Sequence, residues 1–408
     1  MNVDLMRKID FYAGVPLCFL GTLLLWPFGR LKRVRNVETK RVLLIGLSEM
    51  GSIILASPCL RKLEEKFAAE LFFLTFNRTK ICLHLVSQAS KENVFTIREN
   101  APGAFILDTI RFFFWARRNR IDTVVDIELF SRYSALLAGF SGAVNKVGFH
   151  AFFNEGLYRG GFLTHRVQYN PHMHIAKNFL ALAHALIPGT AGEPYSKVAL
   201  DGEDLTAPKM SPDAKQSERV REIVKSRYAA YDESVHQIIL INAEASNLLP
   251  QRRWPRGNFQ DLIRMILRRS GTALALLTGM PEERRRLQSL ADGVADERCV
   301  NFAGCVTFEE MIALFHISQF MVTNDSGPNH FASATHMPTF VIFGPETPDL
   351  YGSLGVTTPI YANLACSPCV SAANHRKTPC ADNVCLKALT PEHVFGFLAP
   401  ILKSPRSL

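Results

Sequence analysis

The chain has 408 residues, 48% hydrophobic and 20% charged, with 46 Lys and Arg against 37 Asp and Glu for a formal net charge of +9. That length allows two full cores, and the mix of apolar and charged residues excludes a disordered, collagen-like or multi-span membrane protein. Residues 1–41 carry eight Lys/Arg and three acids, a net +5, and the other 367 residues only +4, so the cations bracket an apolar segment instead of forming a nucleic-acid-binding stripe.

From Phe11 to Gly29 no residue is charged. As a helix this run would be about 28 Å long, barely the thickness of a hydrocarbon core. Gly14, Pro16, Gly21 and Pro27 argue against a straight span. Arg7 and Lys8 on one flank, with Arg30, Lys32, Arg33 and Arg35 on the other, would hold both ends on the cytoplasmic side. Residues 1–40 are therefore expected to form a re-entrant or interfacial anchor, peripheral or monotopic, with the membrane surface as partner. A single span is the alternative. A cleaved signal peptide is disfavoured, because a basic stretch and no A-x-A-like site follows the apolar run.

Beyond Arg41, short apolar runs alternate with stretches of helical period, the pattern of parallel α/β architecture. Strands are expected at Val42–Gly46, Leu71–Leu74, Thr123–Ile127 and Lys146–Gly148, with helices at Ile54–Lys66, Thr109–Arg118 and Ser131–Phe140. Residues 201–216, polar and containing two prolines, read as a linker. A second series follows, with strands Gln237–Ile241, Ala273–Leu277, Cys299–Phe302, Phe320–Thr323 and Thr339–Phe343 and helices Asn258–Arg268 and Phe308–Phe315. The expected organisation is two doubly wound Rossmann-like domains, 41–200 and 217–408, facing a cleft lined by the loops that follow the strands.

No G-x-G-x-x-G follows any strand and no G-x-x-x-x-G-K-[ST] occurs, which leaves a dinucleotide dehydrogenase or P-loop phosphotransferase without motif support. The best phosphate-binding stretch is Thr323-Asn324-Asp325-Ser326-Gly327-Pro328-Asn329-His330. Ser326 and Gly327 would let backbone amides approach a diphosphate, Asp325 would accept from sugar hydroxyls, and His330 would face the same cleft. An ordinary N-cap turn is the alternative. After Gln237–Ile241 come Asn242-Ala243-Glu244-Ala245-Ser246 and then Arg252-Arg253-Trp254-Pro255. A guanidinium there would neutralise a departing diphosphate, or else belong to a solvated loop over Trp254. Thr278-Gly279-Met280-Pro281-Glu282-Glu283 would bring a carboxylate to a ribose, or form an acid-rich first helical turn.

The blocks RVLLIGLSEMGSIILASP, NAEASN with RRWP, TGMPEE, AGCVTFEE, TNDSGPNHFASA and FGPETPDLYGSLG run in this order from about Lys40 to Ala399. They resemble those of glycosyltransferase family 9, the bacterial heptosyltransferases of lipopolysaccharide core synthesis. The resemblance implies a GT-B fold, with 41–200 as the acceptor-binding and 217–408 as the nucleotide-sugar-binding domain, and inverting transfer of a sugar from a nucleotide-diphospho-sugar, typically ADP-heptose, to a membrane-embedded glycolipid acceptor. The place implied is the cytoplasmic face of the bacterial inner membrane, and no metal or other cofactor is required. By the same resemblance Arg252 stands where the family has a diphosphate-contacting Lys, with Ser246 in the loop before it. Asp325, Ser326, Gly327 and His330 match the donor-sugar and pyrophosphate loop, Glu282 or Glu283 the ribose contact, and Val306 the apolar residue beside the adenine.

One position departs from the family. Its S-x-G-D turn ends in an Asp proposed as catalytic base, whereas Ser48-Glu49-Met50-Gly51-Ser52 has Ser52 there, and a hydroxyl is no general base near neutral pH. Glu49 in the same turn, and then Glu128 in Asp126-Ile127-Glu128, are the candidate replacements. In the alternative, Ser52 is an N-cap and Glu49 a solvated turn residue. Two rival functions stay open: a catalytically silent, membrane-docked nucleotide-sugar binder, and a sugar-nucleotide epimerase on the same fold. Cys366, Cys369, Cys380 and Cys385 have a spacing that allows a four-thiolate metal site, although reduced, partly buried thiols are the preferred reading. His172 and His174, at i and i+2 before the expected helix Ile175–Ile187, suit a substrate contact or a helix entry and not a helical metal pair.

Overall fold

The computed structural model describes residues 3–31, 38–47, 49–87, 90–189, 192–246, 249–374 and 376–402. The basic flank Lys32, Arg33 and Arg35 and the turn residue Ser48 lie outside the described residues. Contacts divide the chain into two units, Met1–Thr206 and Ala207–Leu408.

In the first unit six parallel strands, β1 (Arg41–Ile45), β2 (Glu70–Phe76), β3 (Val94–Ile97), β4 (Thr123–Asp126), β5 (Asn145–His150) and β6 (His165–Gln168), form one sheet in the order β3-β2-β1-β4-β5-β6. Val42 of β1 pairs with Leu71 on one side and Thr123 on the other. The helices are α1 (Val3–Tyr12), α2 (Gly14–Leu31), α3 (Met50–Leu55), α4 (Ser57–Phe67), α5 (Pro102–Arg118), α6 (Arg132–Phe140) and α7 (Ile175–His184). Parallel strands covered on both faces read as continuous apolar runs, which is why β1, β2 and β4 were legible. Phe112 and Ala116 of α5 and Leu137 and Ala138 of α6 pack with Leu43, Ile45, Phe72, Leu74 and Val124. Strands β3 and β6 sit at the two edges, half-exposed and without such a run. The expected helix Ile54–Lys66 is two helices, because Pro58 enters the first turn of α4 and cannot continue the hydrogen bonding of α3. Helix α5 starts earlier than its apolar period suggests, at Pro102, a residue pre-set for a first helical position.

Pro16, Gly21 and Pro27, expected to argue against a straight helix, lie within α2. Leu5–Pro27 is long and apolar enough to cross a membrane. Pro16 falls in the first turn of α2, where no helical hydrogen bond is lost, and Pro27 falls toward its end. The two glycines seat α2 on α6: a Cβ at Gly14 would lie 2.6 Å from Cβ of Arg132, and one at Gly21 3.0 Å from Phe162. Cys18, on the same stripe, is fully buried against Ala135 and Phe162. Asp10 of α1 accepts the backbone N–H groups of Arg132 and Tyr133 at 3.0 and 2.9 Å, at the positive end of α6. On their outer faces α2 exposes Leu17, Leu20, Leu24 and Trp26, and α5 exposes Ile106, Leu107, Ile110 and Phe114.

The second unit repeats the plan. Strands β7 (Gln237–Asn242), β8 (Ala273–Leu277), β9 (Cys299–Asn301), β10 (Ser318–Asn324), β11 (Thr339–Phe343) and β12 (Thr357–Tyr361) pair in parallel in the order β12-β11-β10-β7-β8-β9. The helices are α8 (Ala214–Arg227), α9 (Arg256–Arg269), α10 (Arg284–Val294), α11 (Glu310–Ile317), α12 (Gly327–Ala332), α13 (Pro348–Tyr351), α14 (Val384–Lys387) and α15 (Pro391–Leu398). Helix α8 opens on a capping box between Asp213 and Gln216, inside the stretch read as linker. Strand β12 escaped the sequence reading because Pro359 interrupts it, which an edge strand tolerates.

Candidate active site

Ligands of doubly wound sheets bind at the carboxyl edge, where the strand order reverses. In the second unit that point lies between β7 and β10, whose last residues are both asparagines. Asn324 is fully buried; its Oδ1 accepts the Trp254 N–H at 2.9 Å and its Nδ2 donates to the Ala243 carbonyl at 2.9 Å. Asn242 donates to the Thr278 carbonyl at 3.1 Å and accepts from the Ser326 hydroxyl at 3.4 Å. Two amides thus tie together the loops that follow β7, β8 and β10. The sequence reading passed over both as positioning residues, although a polar residue closing an apolar strand was the available signal.

Arg252 is the electrostatic centre of this edge. Its guanidinium lies 2.7 Å from Glu346 and 3.4 Å from Asp325, carboxylates that are 2% and 5% exposed. Arg376 approaches Glu346 at 3.6 Å and stacks over the Tyr351 ring at 4.7 Å. Two nearly buried acids would be costly without these cations. Arg252 keeps 16% of its side chain exposed. Glu346 is a site residue that sequence reasoning missed; it stands in the FGPE block directly after β11.

A neighbouring cavity of about 250 Å³ is lined by Glu244, Arg253, Trp254 and Arg286. Glu244 sits between Arg253 at 3.4 Å and Arg286 at 3.1 Å, and Arg286 also reaches Glu283 at 3.7 Å. Glu283 turns back to accept the Met280 N–H at 2.8 Å, and burial raises its carboxyl above the ordinary range. It closes its own turn, whereas Glu282 is exposed. Gly304, at φ +64°, donates to the Gly279 carbonyl at 3.0 Å, and a Cβ there would lie 2.8 Å from Cγ of Pro281. That close approach sets half-buried Val306 beside the loop after β8. Ser246 is exposed, while His330 is buried on α12.

In the first unit the reversal lies between β1 and β4. Glu128 accepts the Leu47 N–H at 2.6 Å, and its own N–H donates to Asp126 at 3.1 Å. Glu49 is the N-cap of α3; Ser52 lies inside that helix and donates its hydroxyl to the Glu49 carboxylate at 3.2 Å. Ser52 is therefore not the N-cap, and it holds the candidate base instead. Asp126 and Arg159, both essentially fully buried, form an ion pair that the Ser134 hydroxyl joins at 2.9 Å. Burial pushes the Asp126 carboxyl up against the pull of Arg159. His174 takes the helix-entry role: it caps α7, its Nδ1 accepting the Ala176 N–H at 3.2 Å, and His172 is exposed. Among the described residues no three His, Cys, Asp or Glu are grouped to hold a metal ion. Cys366 is exposed and Cys385 buried, its thiol pushed up by burial and then by the neighbouring Cys369 and Cys380.

Two parallel six-stranded α/β sheets, each with its polar residues at the reversal, constitute the fold of GT-B glycosyltransferases. The structure of the Escherichia coli ADP-heptose lipopolysaccharide heptosyltransferase II matches with a TM-score of 0.68 at 19% identity, over 89% of this chain and 98% of that one. E. coli heptosyltransferase WaaC with ADP matches at 0.59 and 14% identity, over 88% and 99%. The chain belongs to glycosyltransferase family 9 (heptosyltransferase), whose family model matches residues 116–379. The E. coli K12 lipopolysaccharide heptosyltransferase 2 is 22% identical over 312 residues, 76% of this chain and 84% of the relative. The Haemophilus influenzae lipooligosaccharide heptosyltransferase 2 is 33% identical over 102 residues, 24% and 29%. With three of the curated relatives, this one and the Salmonella typhimurium heptosyltransferases 1 and 2, the match spans 29%, 36% and 42% of their length.

Proposed function

We propose that the chain is an inverting glycosyltransferase that moves a heptose-like sugar from a nucleoside diphosphate sugar, with ADP-heptose as first donor, to a glycolipid acceptor of the cell envelope. The observation that carries this reading is Arg252, held between Asp325 and Glu346 at the strand reversal of the second unit, at the position for which the family resemblance implies a diphosphate contact. The acceptor hydroxyl attacks the anomeric carbon, the bond from that carbon to the diphosphate oxygen breaks, and the hydroxyl proton passes to Glu128 or Glu49. Arg252 and the amides around Ser326–Gly327 take the charge of the leaving nucleoside diphosphate. The displacement exchanges one C–O bond for another and needs no redox cofactor. Support for an acceptor at the cytoplasmic face of the inner membrane comes from the apolar Leu5–Pro27 and the exposed apolar stripe of α5.

Turnover of ADP-heptose on lipopolysaccharide from a heptose-deficient bacterium tests the proposal. Wild type should transfer, and Glu128→Gln or Glu49→Gln should lower kcat by about 100-fold or more, the lower end of general-base effects. Full rate in both variants refutes the assignment of the base. The absence of Asp at position 52 favours one other reading; ADP-heptose binding with no transfer to any acceptor would establish the silent binder in its place.

A further inference from the structure

The first unit holds a second cavity, of about 360 Å³, at the carboxyl end of β5. Its floor is Arg159, its walls include His150, Phe152, Asn154 and Tyr158, and one side is closed by Thr22 of α2. Thr22 accepts the Gly161 N–H at 2.9 Å, and Gly160, at φ +81°, leaves no room for a Cβ beside Cys18 and Thr22. Helix α2 is thus built into the wall. Arg159 donates through Nη1 to the Glu128 and Phe149 carbonyls at 3.2 and 3.3 Å, so the floor is continuous with the turn that carries the candidate base.

Two hydrogen-bonding groups on residues that line this cavity are unspent. The buried Nε–H of Arg159, on a side chain 1% exposed, has no hydrogen-bond partner among the described residues, and neither has Nδ1 of His150. Buried donors of this kind are normally satisfied. Phe152 is held at φ +40°, an unusual conformation for a bulky residue, and such strain gathers at binding sites. Burial, and then Arg166, hold the His150 imidazole down at about 4, with Glu193 opposing and Arg159 adding to the effect, so near neutrality it offers one donor and one acceptor. The volume falls within the ~300–1,000 Å³ of small-molecule sites, and the lining alternates aromatic faces with amide, imidazole and guanidinium groups, a set that suits a polyhydroxylated ring.

The geometry points to this cavity as the subsite for a sugar of the glycolipid acceptor, entered from the bilayer along α2, with Arg159 and His150 as its buried hydrogen-bonding partners. The inference rests on the proposed function for the acceptor class but not for the existence of the subsite. A lipid-linked sugar matches the surroundings: the polar ring lies in the cavity and its acyl part follows the apolar face of α2. Free sugars would lack the second contact.

Full-length protein is reconstituted in phosphatidylethanolamine–phosphatidylglycerol nanodiscs, with and without heptose-deficient lipopolysaccharide, and amide hydrogen exchange is read over residues 150–161. The lipopolysaccharide is expected to slow exchange there by about tenfold, and Asn154→Ala and Tyr158→Ala, at exposed rim positions, to abolish the slowing without lowering the melting temperature. Exchange that is unchanged, or slowed equally by nanodiscs without lipopolysaccharide, overturns the subsite. Protection of the 325–330 loop by ADP, and heptose transfer, report separately on the proposed function. Transfer without protection of 150–161 refutes the subsite alone, and protection without transfer refutes the function alone.

Discussion

Replacing Arg252 by Ala removes the cation that faces both Glu346, at 2.7 Å, and Asp325, at 3.4 Å. Breaking a buried pair by deleting one partner costs roughly 3–5 kcal/mol. Arg252 is not fully buried and Arg376 stays within 3.6 Å of Glu346, which lowers the expectation to about 2–3 kcal/mol. For a unit of this size that is a fall in Tm of about 4–12 °C. The double variant Arg252→Ala with Glu346→Gln leaves one fewer orphaned carboxylate and should recover about 1 kcal/mol of the loss, a coupling that calorimetry on the single and double variants measures. The same guanidinium is assigned to the leaving diphosphate. Losing a hydrogen bond to a charged group, about 1.5–3 kcal/mol, should weaken ADP binding about 10- to 150-fold in titration calorimetry. Arg252→Lys keeps the charge but not the fork and should fall between. A Tm within about 1 °C of wild type would refute the buried network. Unchanged ADP affinity in a folded variant would leave Arg252 a purely structural residue.

Further expectations concern packing, thiols and protons. Gly21→Ala places a methyl 3.0 Å from Phe162 and should destabilise by about 1 kcal/mol in urea unfolding, whereas Gly103→Ala, with open space around it, should stabilise by about 0.4–1 kcal/mol; equal effects would show that α2 is not seated on α6. Burial pushes the thiols of Cys59, Cys82 and Cys299 up to about 12, so iodoacetamide at mildly alkaline pH should spare them and modify exposed Cys366, as peptide mass mapping reads. His150 is held at about 4 in the fold against 6.5 in the free side chain. Between those values the unfolded chain binds the extra proton, so stability rises with pH across the window and falls as pH drops through it. Discounted for an imidazole that lines an open cavity, the span is about 2 kcal/mol. His150→Asn should flatten that slope in denaturant titrations at stepped pH.

Strands such as Ala273–Leu277 and Thr339–Phe343 coincide with their sequence-based ranges because both faces are buried and every residue of the run but Thr339 is apolar. The half-exposed edge strands β3, β6 and β12 were invisible for the complementary reason, although the edge strand β9 was expected at Cys299–Phe302 and is found at Cys299–Asn301. Arg252, Asp325 and Ser326 were legible as candidates through motif order, and the fold places them at one edge. Glu283 was legible as an acid but not in its direction: it caps its own turn, a choice made by the Met280 N–H and by Arg286 from the next helix. Gly14 and Gly21 show the same limit, since a glycine in an apolar helix reads equally as a break or as a close approach. Only the position of Arg132 and Phe162 decides between them.

What the amino-acid sequence by itself determined is what depends on near neighbours: the alternation of buried strands and helices, the two-part organisation, the apolar segment between cations and the polar loops that close the apolar strands. Period, turn residues and charge placement are local quantities. The tertiary structure alone decided which groups share a bond. It brought Glu346 to Arg252, turned Ser52 into a partner of Glu49, buried Arg159 against Asp126, and set Thr22 of the first helical pair into the wall of a cavity formed by residues 150–161. Those partners lie up to 139 residues apart in the chain, and no spacing rule reaches so far. Their encounter follows from the order in which parallel strands are laid side by side.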